Sequence, residues 1–499
     1  MLTASSRAFP HTIELVSVGG DGQLAESSSR VNMSTDGRYV LFQAIGLAPT
    51  GGTRIASAQW YLRDRVARTT ELISQSTQGV PSGSVGKFSS GVIATIDRSG
   101  RLVAFEMVAT GLDGPGTTPA RREIHLRDRV LMTTRKISIL PNGNMSAFAS
   151  ARPHISADGK YVLFGCGGDF FFASLQMPSY ELCLLNIATN TFTRANKTLD
   201  GSPMPAGTAS GLDPDNISEN GDQVYFTANS SNLVIGDTNE KPDVFVYYRS
   251  LDRVERLSTD SSGGQIADGG SNLQVSKDGR TLLFGSSGRG LPGVPVDASD
   301  QNRWFVKNLE TGAIQLLCKN NENLNLGEPT GQFGCLTQAS LSGDGRFVVF
   351  GGSSELPRFT GLHQVCRADL AARFIQIWSR NEAGEPCNAS GFCGSYRDGN
   401  LIVNSERPRI SDNGDHVAFW VYALAPSTFN IIPGLIFGDR QSQIVVRSDG
   451  PIGAPVNAPL QVPSTGTEAN GILAALLFLI AVSSTRANRM VNPKPVAGV

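Results

Sequence analysis

Neither sign of charge is in excess in this 499-residue chain: 43 Lys and Arg stand against 44 Asp and Glu, and charged residues make up only 17% of it. A general nucleic-acid binder needs a basic surplus and an acidic tail the reverse, so both are excluded as descriptions of the whole. Catalytic signatures are missing as well. There is no Gly-x-Ser-x-Gly elbow, no Walker-type loop, and no Gly-x-Gly-x-x-Gly in a strand-to-helix setting. The five histidines are scattered. What the chain does hold is 40% apolar residues, ample for a large core, and 55 Gly with 26 Pro, about one residue in six. That proportion is too low for a low-complexity chain and suits a turn-rich all-β one.

Self-similarity organises the rest. Seven glycines (Gly37, Gly100, Gly159, Gly221, Gly279, Gly345 and Gly414) are spaced by 63, 59, 62, 58, 66 and 69 residues. Three positions before them stand Ser34, Asp97, Ser156, Ser218, Ser276, Ser342 and Ser411. Immediately before them come Asp36, Ser99, Asp158, Asn220, Asp278, Asp344 and Asn413. Five positions after each glycine the residue is always Phe: Phe42, Phe105, Phe164, Phe226, Phe284, Phe350 and Phe419.

An Asp-Gly or Asn-Gly pair supplies positive φ at little steric cost, which makes each copy a tight hairpin. The run after it, such as Tyr161-Val162-Leu163-Phe164, is apolar on both faces and fits a strand buried between two sheets. Further along each unit lies a second hairpin, for example Trp60-Tyr61-Leu62-Arg63-Asp64 followed by Thr70-Glu71-Leu72-Ile73. Four strands per unit of about 60 residues make the blade of a β-propeller, which removes exposed edges by radial closure. The seventh unit lacks a fourth strand after Gln443–Arg447, and Thr12–Ser17 is a strand without a blade. The expected fold is therefore all-β: a seven-bladed propeller of four-stranded blades over 12–449, closed by the N-terminal strand. A six-bladed ring with an extra sheet is the competing arrangement.

The units resemble TolB-like, WD-type propeller repeats, whose consensus runs Ser-Pro-Asp-Gly-Lys/Arg into an apolar strand ending in Phe. Ser34-Thr35-Asp36-Gly37-Arg38, Ser156-Ala157-Asp158-Gly159-Lys160 and Ser276-Lys277-Asp278-Gly279-Arg280 carry the likeness, which spans about residues 12 to 449. The family's Pro is absent from every copy, and unit two has Ser99 in place of the Asp. The resemblance implies a secreted or periplasmic propeller that binds other proteins, and it brings no catalytic residues.

Beyond the blades, 450–470 is a Pro-rich linker. It leads to a segment at 471–490 built on eleven consecutive apolar residues, Ile472 to Val482, and followed by Arg486 and Arg489. A membrane span wants roughly 20 apolar residues. The segment is expected to be a short hydrophobic helix, either a membrane anchor or a tail similar to bacterial C-terminal sorting signals; a helix packed on the propeller is the plainer alternative. Positive-inside logic leaves the propeller extracytoplasmic. Met1 to Pro10 holds no apolar signal-peptide core, which is read as a truncated start.

Of seven cysteines, Cys166 and Cys183 fall on neighbouring strands, Cys318 follows unit five, Cys335 precedes unit six, and Cys366 could meet Cys387 or Cys393. Disulfides, buried thiols and, least favoured, a zinc site are the options. His125, His154 and His416 read as structural, and His11 and His363 have no evident partner. A calcium loop is the one metal candidate: Asp237, Asn239 and Asp243 in Asp237-Thr238-Asn239-Glu240-Lys241-Pro242-Asp243 concentrate oxygen ligands, although the EF-hand Gly and distal Glu are missing. Asp297-Ala298-Ser299-Asp300 and Asp113-Gly114-Pro115 are weaker loops of that kind. No catalytic residue and no cofactor are assigned. The expected function is non-enzymatic binding of a protein or glycan through loops on one ring face, with the membrane reached through the tail. A hydrolase or lyase with its site in the central funnel is the alternative.

Overall fold

A computed structural model describes residues 12–84, 93–112, 122–143, 149–167, 180–204, 209–210, 217–298, 302–317, 333–354, 362–372, 374–379, 401–423, 427–429, 435–437, 442–449 and 452. The chain divides into two units, Met1–Asn457 and Ala458–Val499, and the second lies wholly outside the described residues. The expected hydrophobic helix at 471–490 and all of the expected linker except Ile452 lie there too. Among the described residues no helix is long and apolar enough to cross a membrane.

The seven repeats form seven four-stranded antiparallel sheets. Blade 1 runs Ser27–Met33, Tyr39–Ile45, Gln59–Asp64, Thr69–Leu72, and blade 2 runs Ala94–Ile96, Leu102–Met107, Glu123–Asp128, Thr133–Lys136. Blade 3 is Ala151–Ile155, Tyr161–Gly167, Tyr180–Asn186, Thr191–Arg194. Blade 4 is Ala209–Ser210, Gln223–Ala228, Asp243–Tyr248, Arg253–Arg256. Blade 5 follows as Ser271–Val275, Thr281–Ser286, Arg303–Asn308, Ile314–Leu316, and blade 6 as Phe333–Leu341, Phe347–Ser354, Leu362–Asp369, Phe374–Ile377. Blade 7 takes Leu401–Ile410, His416–Ala423 and Ser442–Ser448 from the end of the chain and Thr12–Leu15 from its start, with Thr12 opposite Ser448 and Leu15 opposite Val445. The N-terminal strand thus closes the ring, and the six-bladed alternative falls.

One expectation needs correcting. Cys335 lies inside the first strand of blade 6 rather than before it. In blade 4 the described part of the innermost strand is Ala209–Ser210, and Ile217 meets Val224 as an isolated bridge.

The doubly apolar second strands explain the packing. Val40 and Phe42 join Ala418, Ile444 and Val446 of blade 7, whereas Tyr39 and Leu41 on the other face join Val103 and Phe105 of blade 2. Leu163 likewise packs with Val224 and Phe226 of blade 4, and Val162 and Phe164 with Ala104 and Ile124 of blade 2. Alternation along one strand therefore feeds two interblade cores. Each repeat Phe also faces one third-strand residue across the sheet, and Phe42–Tyr61, Phe105–His125, Phe226–Phe245 and Phe284–Phe305 stack at 5.5–6.1 Å.

Candidate functional site

The hairpin turns meet around the axis. Two positions before each repeat glycine, where the TolB-like consensus has Pro, this chain carries Thr35, Arg98, Ala157, Glu219, Lys277, Gly343 and Asp412. Their backbones link blade to blade: Arg98 N–H donates to the Ala157 carbonyl (3.0 Å), Lys277 N–H to Gly343 (2.8 Å), and Asp412 N–H to Thr35 (2.8 Å). Proline has no N–H to give, so its absence is what permits these bonds. The Arg98 guanidinium reaches across Ala157 to the Glu219 carboxylate.

Below the mouth a second polar ring ties the innermost strands together. Asn32 Nδ2 donates to the Ala94 carbonyl (2.9 Å). The Thr95 hydroxyl donates to Pro153 and accepts from Ile155 N–H, and Gln274 bonds both Ala339 and Leu341. His154 and Arg409 occupy the same position in blades 3 and 7, and both line the axial cavity with Asn32, Thr95, Lys277 and Asp412. That cavity is about 40 Å³, room for roughly two or three waters.

The calcium candidates are engaged elsewhere. Gln265 Nε2 donates to Asp237 Oδ1 (2.9 Å) and Asp243 Oδ2 (3.1 Å), while its Oε1 accepts from Thr238 N–H (3.2 Å). Asn239 Nδ2 donates to the Ile266 carbonyl (3.0 Å). Asp243 is fully buried, its carboxyl is pushed up by burial, and it accepts from the Ser258 hydroxyl, which in turn accepts from Val244 N–H. Gln59 with Ser74 and Gln443 with Ser17 repeat this arrangement in blades 1 and 7. Asp243 therefore occupies a structural column of the repeat. Among the described residues no group of three or more His, Cys, Asp or Glu is placed to hold a metal. Asp297 is described, but Asp113 and Asp300 lie outside the described residues. Neither the serine column nor the inner polar ring was read from the sequence; Ser17, Ser74, Ser138, Ser258 and Ser379 recur in five of the seven blades, with Asn196 in their place in blade 3, and were the available signal.

His125 is buried against Phe105, and His416 Nδ1 lies 2.8 Å from the Ser448 hydroxyl, to which Arg65 also donates. Cys166 and Cys183 are joined by a disulfide, as their neighbouring strands anticipate. Cys366 is buried opposite Phe350. Cys318, Cys387, Cys393 and His11 lie outside the described residues.

The two ring faces differ. One carries the glycine turns and short third-to-fourth-strand turns such as 65–68. The other carries long connectors such as 46–58 and 287–302. On this loop face Ile235 and Val296, in the second-to-third-strand connectors of adjacent blades 4 and 5, are 89% and 79% exposed. Leu199 is exposed on the connector into blade 4, its N–H bonded to Asn232.

No family model and no curated protein matches the sequence. Similar solved structures include TolB from Acinetobacter baumannii, at 14% identity over 74% of this chain and 79% of that one, TM-score 0.34. The β-propeller domain of the Trilobed protease from Pyrococcus furiosus shows 10% identity over 87% and 99%, TM-score 0.47. An oligogalacturonate lyase in complex with manganese shows 10% over 88% and 96%, TM-score 0.47. Likenesses this distant decide neither family nor activity, and the propeller rests on its own strand pairing.

Proposed function

We propose that the chain is a non-enzymatic, TolB-like binding propeller outside the cytoplasm, tethered to the envelope through 471–490, that holds a protein partner on its loop face. The observation that carries this reading is the pair of protruding aliphatics, Ile235 and Val296, repeated in neighbouring blades on the face with the longest connectors. Loops on a rigid scaffold are where binding residues collect, and bare aliphatics suit a protein surface better than a glycan. The Cys166–Cys183 disulfide fits an oxidising compartment. A hydrolase or lyase in the funnel is the second reading; among the described residues the axial cavity there is about 40 Å³. No cofactor is needed; a calcium ion at Asp237, Asn239 and Asp243 would first have to displace Gln265.

The test is a photo-crosslinking amino acid placed at Ile235, Val296 or, as control, Lys160 on the turn face, in intact cells. One discrete protein adduct from the first two positions, absent from Lys160, is expected. No adduct at either, or turnover of a polysaccharide or peptide substrate by the purified chain, would overturn the reading.

A further inference from the structure

The turn face has an apolar sector of its own. At the tip of blade 2, Leu131 and Met132 are 63% and 54% exposed, and Val66 at the tip of adjoining blade 1 is 55% exposed. Single exposed apolar residues need no explanation. Here two are consecutive and the third is on the neighbouring blade. Arg68 and Arg135 are exposed on the same two tips. The nearby carboxylates are already held: Asp64 by Arg38, Asp128 by Arg101, Glu14 by Arg65 and Glu71 by Arg129. Arg68 is therefore a cation over and above four ion pairs, and Arg135, which takes part in none of them, donates from Nη1 to Asn190 Oδ1 of blade 3 (3.1 Å).

The last described strand of the propeller also ends here. Ser448 ends the last described strand, and its hydroxyl accepts from Arg65 Nη2 (2.8 Å), the residue next to Val66. From Asp449 the sequence has 22 residues before Ile472, where the apolar run begins. Eleven apolar residues fall short of the roughly 20 that span a bilayer, so a second contact with the lipid surface would strengthen the hold. From these observations we infer that the tips of blades 1 and 2, through Val66, Leu131, Met132, Arg68 and Arg135, dock on an anionic lipid surface beside the point where the chain runs to its tether. The inference rests on reading 471–490 as a tether, and it leaves the loop face turned away from the bilayer.

Hydrogen exchange on the full chain tests it, with and without vesicles of three parts phosphatidylcholine to one part phosphatidylglycerol. Vesicles are expected to slow exchange several-fold at 65–68 and 130–133 and to leave 234–236 unchanged. Leu131→Asp with Met132→Asp should abolish that protection and weaken vesicle co-sedimentation several-fold, with native exchange elsewhere showing that the variant is folded. Bound chain with unprotected tips overturns the inference while sparing the tether. A Leu476→Asp, Leu477→Asp variant that sediments as well as the parent overturns the tether instead. Protection that follows protein concentration without vesicles would assign the tips to a second copy and also overturn the inference.

Discussion

Gly37 lies flat against the imidazole of His416: a Cβ on Gly37 would stand 2.2 Å from His416 Cδ2. The contact joins blade 1 to blade 7, and it recurs around the ring. Gly100 meets Tyr39, Gly221 meets Tyr161 and Gly414 meets Phe347, in each case the residue two positions past the preceding blade's repeat glycine. The glycine is thus required twice, for a backbone at φ +73° and for the close approach of the neighbouring blade.

Separating those two demands gives the first expectation. Gly22 has the same left-handed backbone, at φ +76°, but nothing within 4 Å of a Cβ. Gly22→Ala should cost about 1–2 kcal/mol, the strain of an L-residue in that region. Gly37→Ala adds a steric conflict in a packed interface and should cost about 2–4 kcal/mol. Urea midpoints measure both; equal losses would mean that the His416 contact yields without penalty.

Blade 2 keeps the turn by exchanging its parts. Elsewhere the serine hydroxyl accepts from the backbone two residues past the glycine, as Ser34 does from Tyr39 N–H (2.9 Å), and donates to the aspartate or asparagine before it, as Ser34 does to Asp36 and Ser411 to Asn413. In blade 2 Asp97 accepts from Leu102 N–H (2.8 Å) and from the Ser99 hydroxyl. Asp97→Ser or Ser99→Asp alone should lose about 1–2 kcal/mol, the first by weakening a buried bond and the second by opposing two carboxylates. Together they restore the common arrangement, and the double variant should return to within about 0.5 kcal/mol of the parent. Additive losses in the double-mutant cycle would show that the exchange of positions is not equivalent.

The Cys166–Cys183 link closes a loop with a sequence separation of 17. Loop-closure entropy puts its contribution at about 3 kcal/mol. Reductant should lower the unfolding midpoint of the parent and leave a Cys166→Ala, Cys183→Ala variant where it is. An unchanged parent midpoint, with thiol titration proving the bond reduced, would remove the disulfide from the stability account.

Much of this fold was legible because the ring repeats itself: any residue type demanded by turn geometry or by a two-sided core recurs seven times and stands out. Gly37 and Phe42 are of that kind. Gln265 is not, since it serves one loop in one blade, and its grip on Asp237 and Asp243 depends on a fold-back that spacing alone does not encode. The loop-face aliphatics Ile235 and Val296 escaped for a related reason. Connectors vary blade by blade, and exposure is a property of the assembled ring.

Glu106 provides the pH test. It is fully buried in blade 2, where Oε2 accepts Arg152 N–H (2.8 Å) and Oε1 lies 3.2 Å from Arg122, and burial pushes its carboxyl above the ordinary 4.5. For an acid raised in this way, the folded chain keeps a proton that the unfolded chain has released at any pH between the two values. Its contribution to stability is therefore greatest below the unfolded value and falls as pH rises through the folded one. Gln43 holds the same place in blade 1 and is also buried, so the site accepts an amide. Glu106→Gln should remove the slope: the variant should gain on the parent as pH is raised from 4 to 7, by about 1.4 kcal/mol for each unit by which the folded carboxyl is raised. Arg122, partly exposed, can turn to water at little cost. A variant that instead loses ground toward pH 7 would mean that Glu106 is ionised and stabilised by Arg122, and that the pair outweighs the cost of its burial.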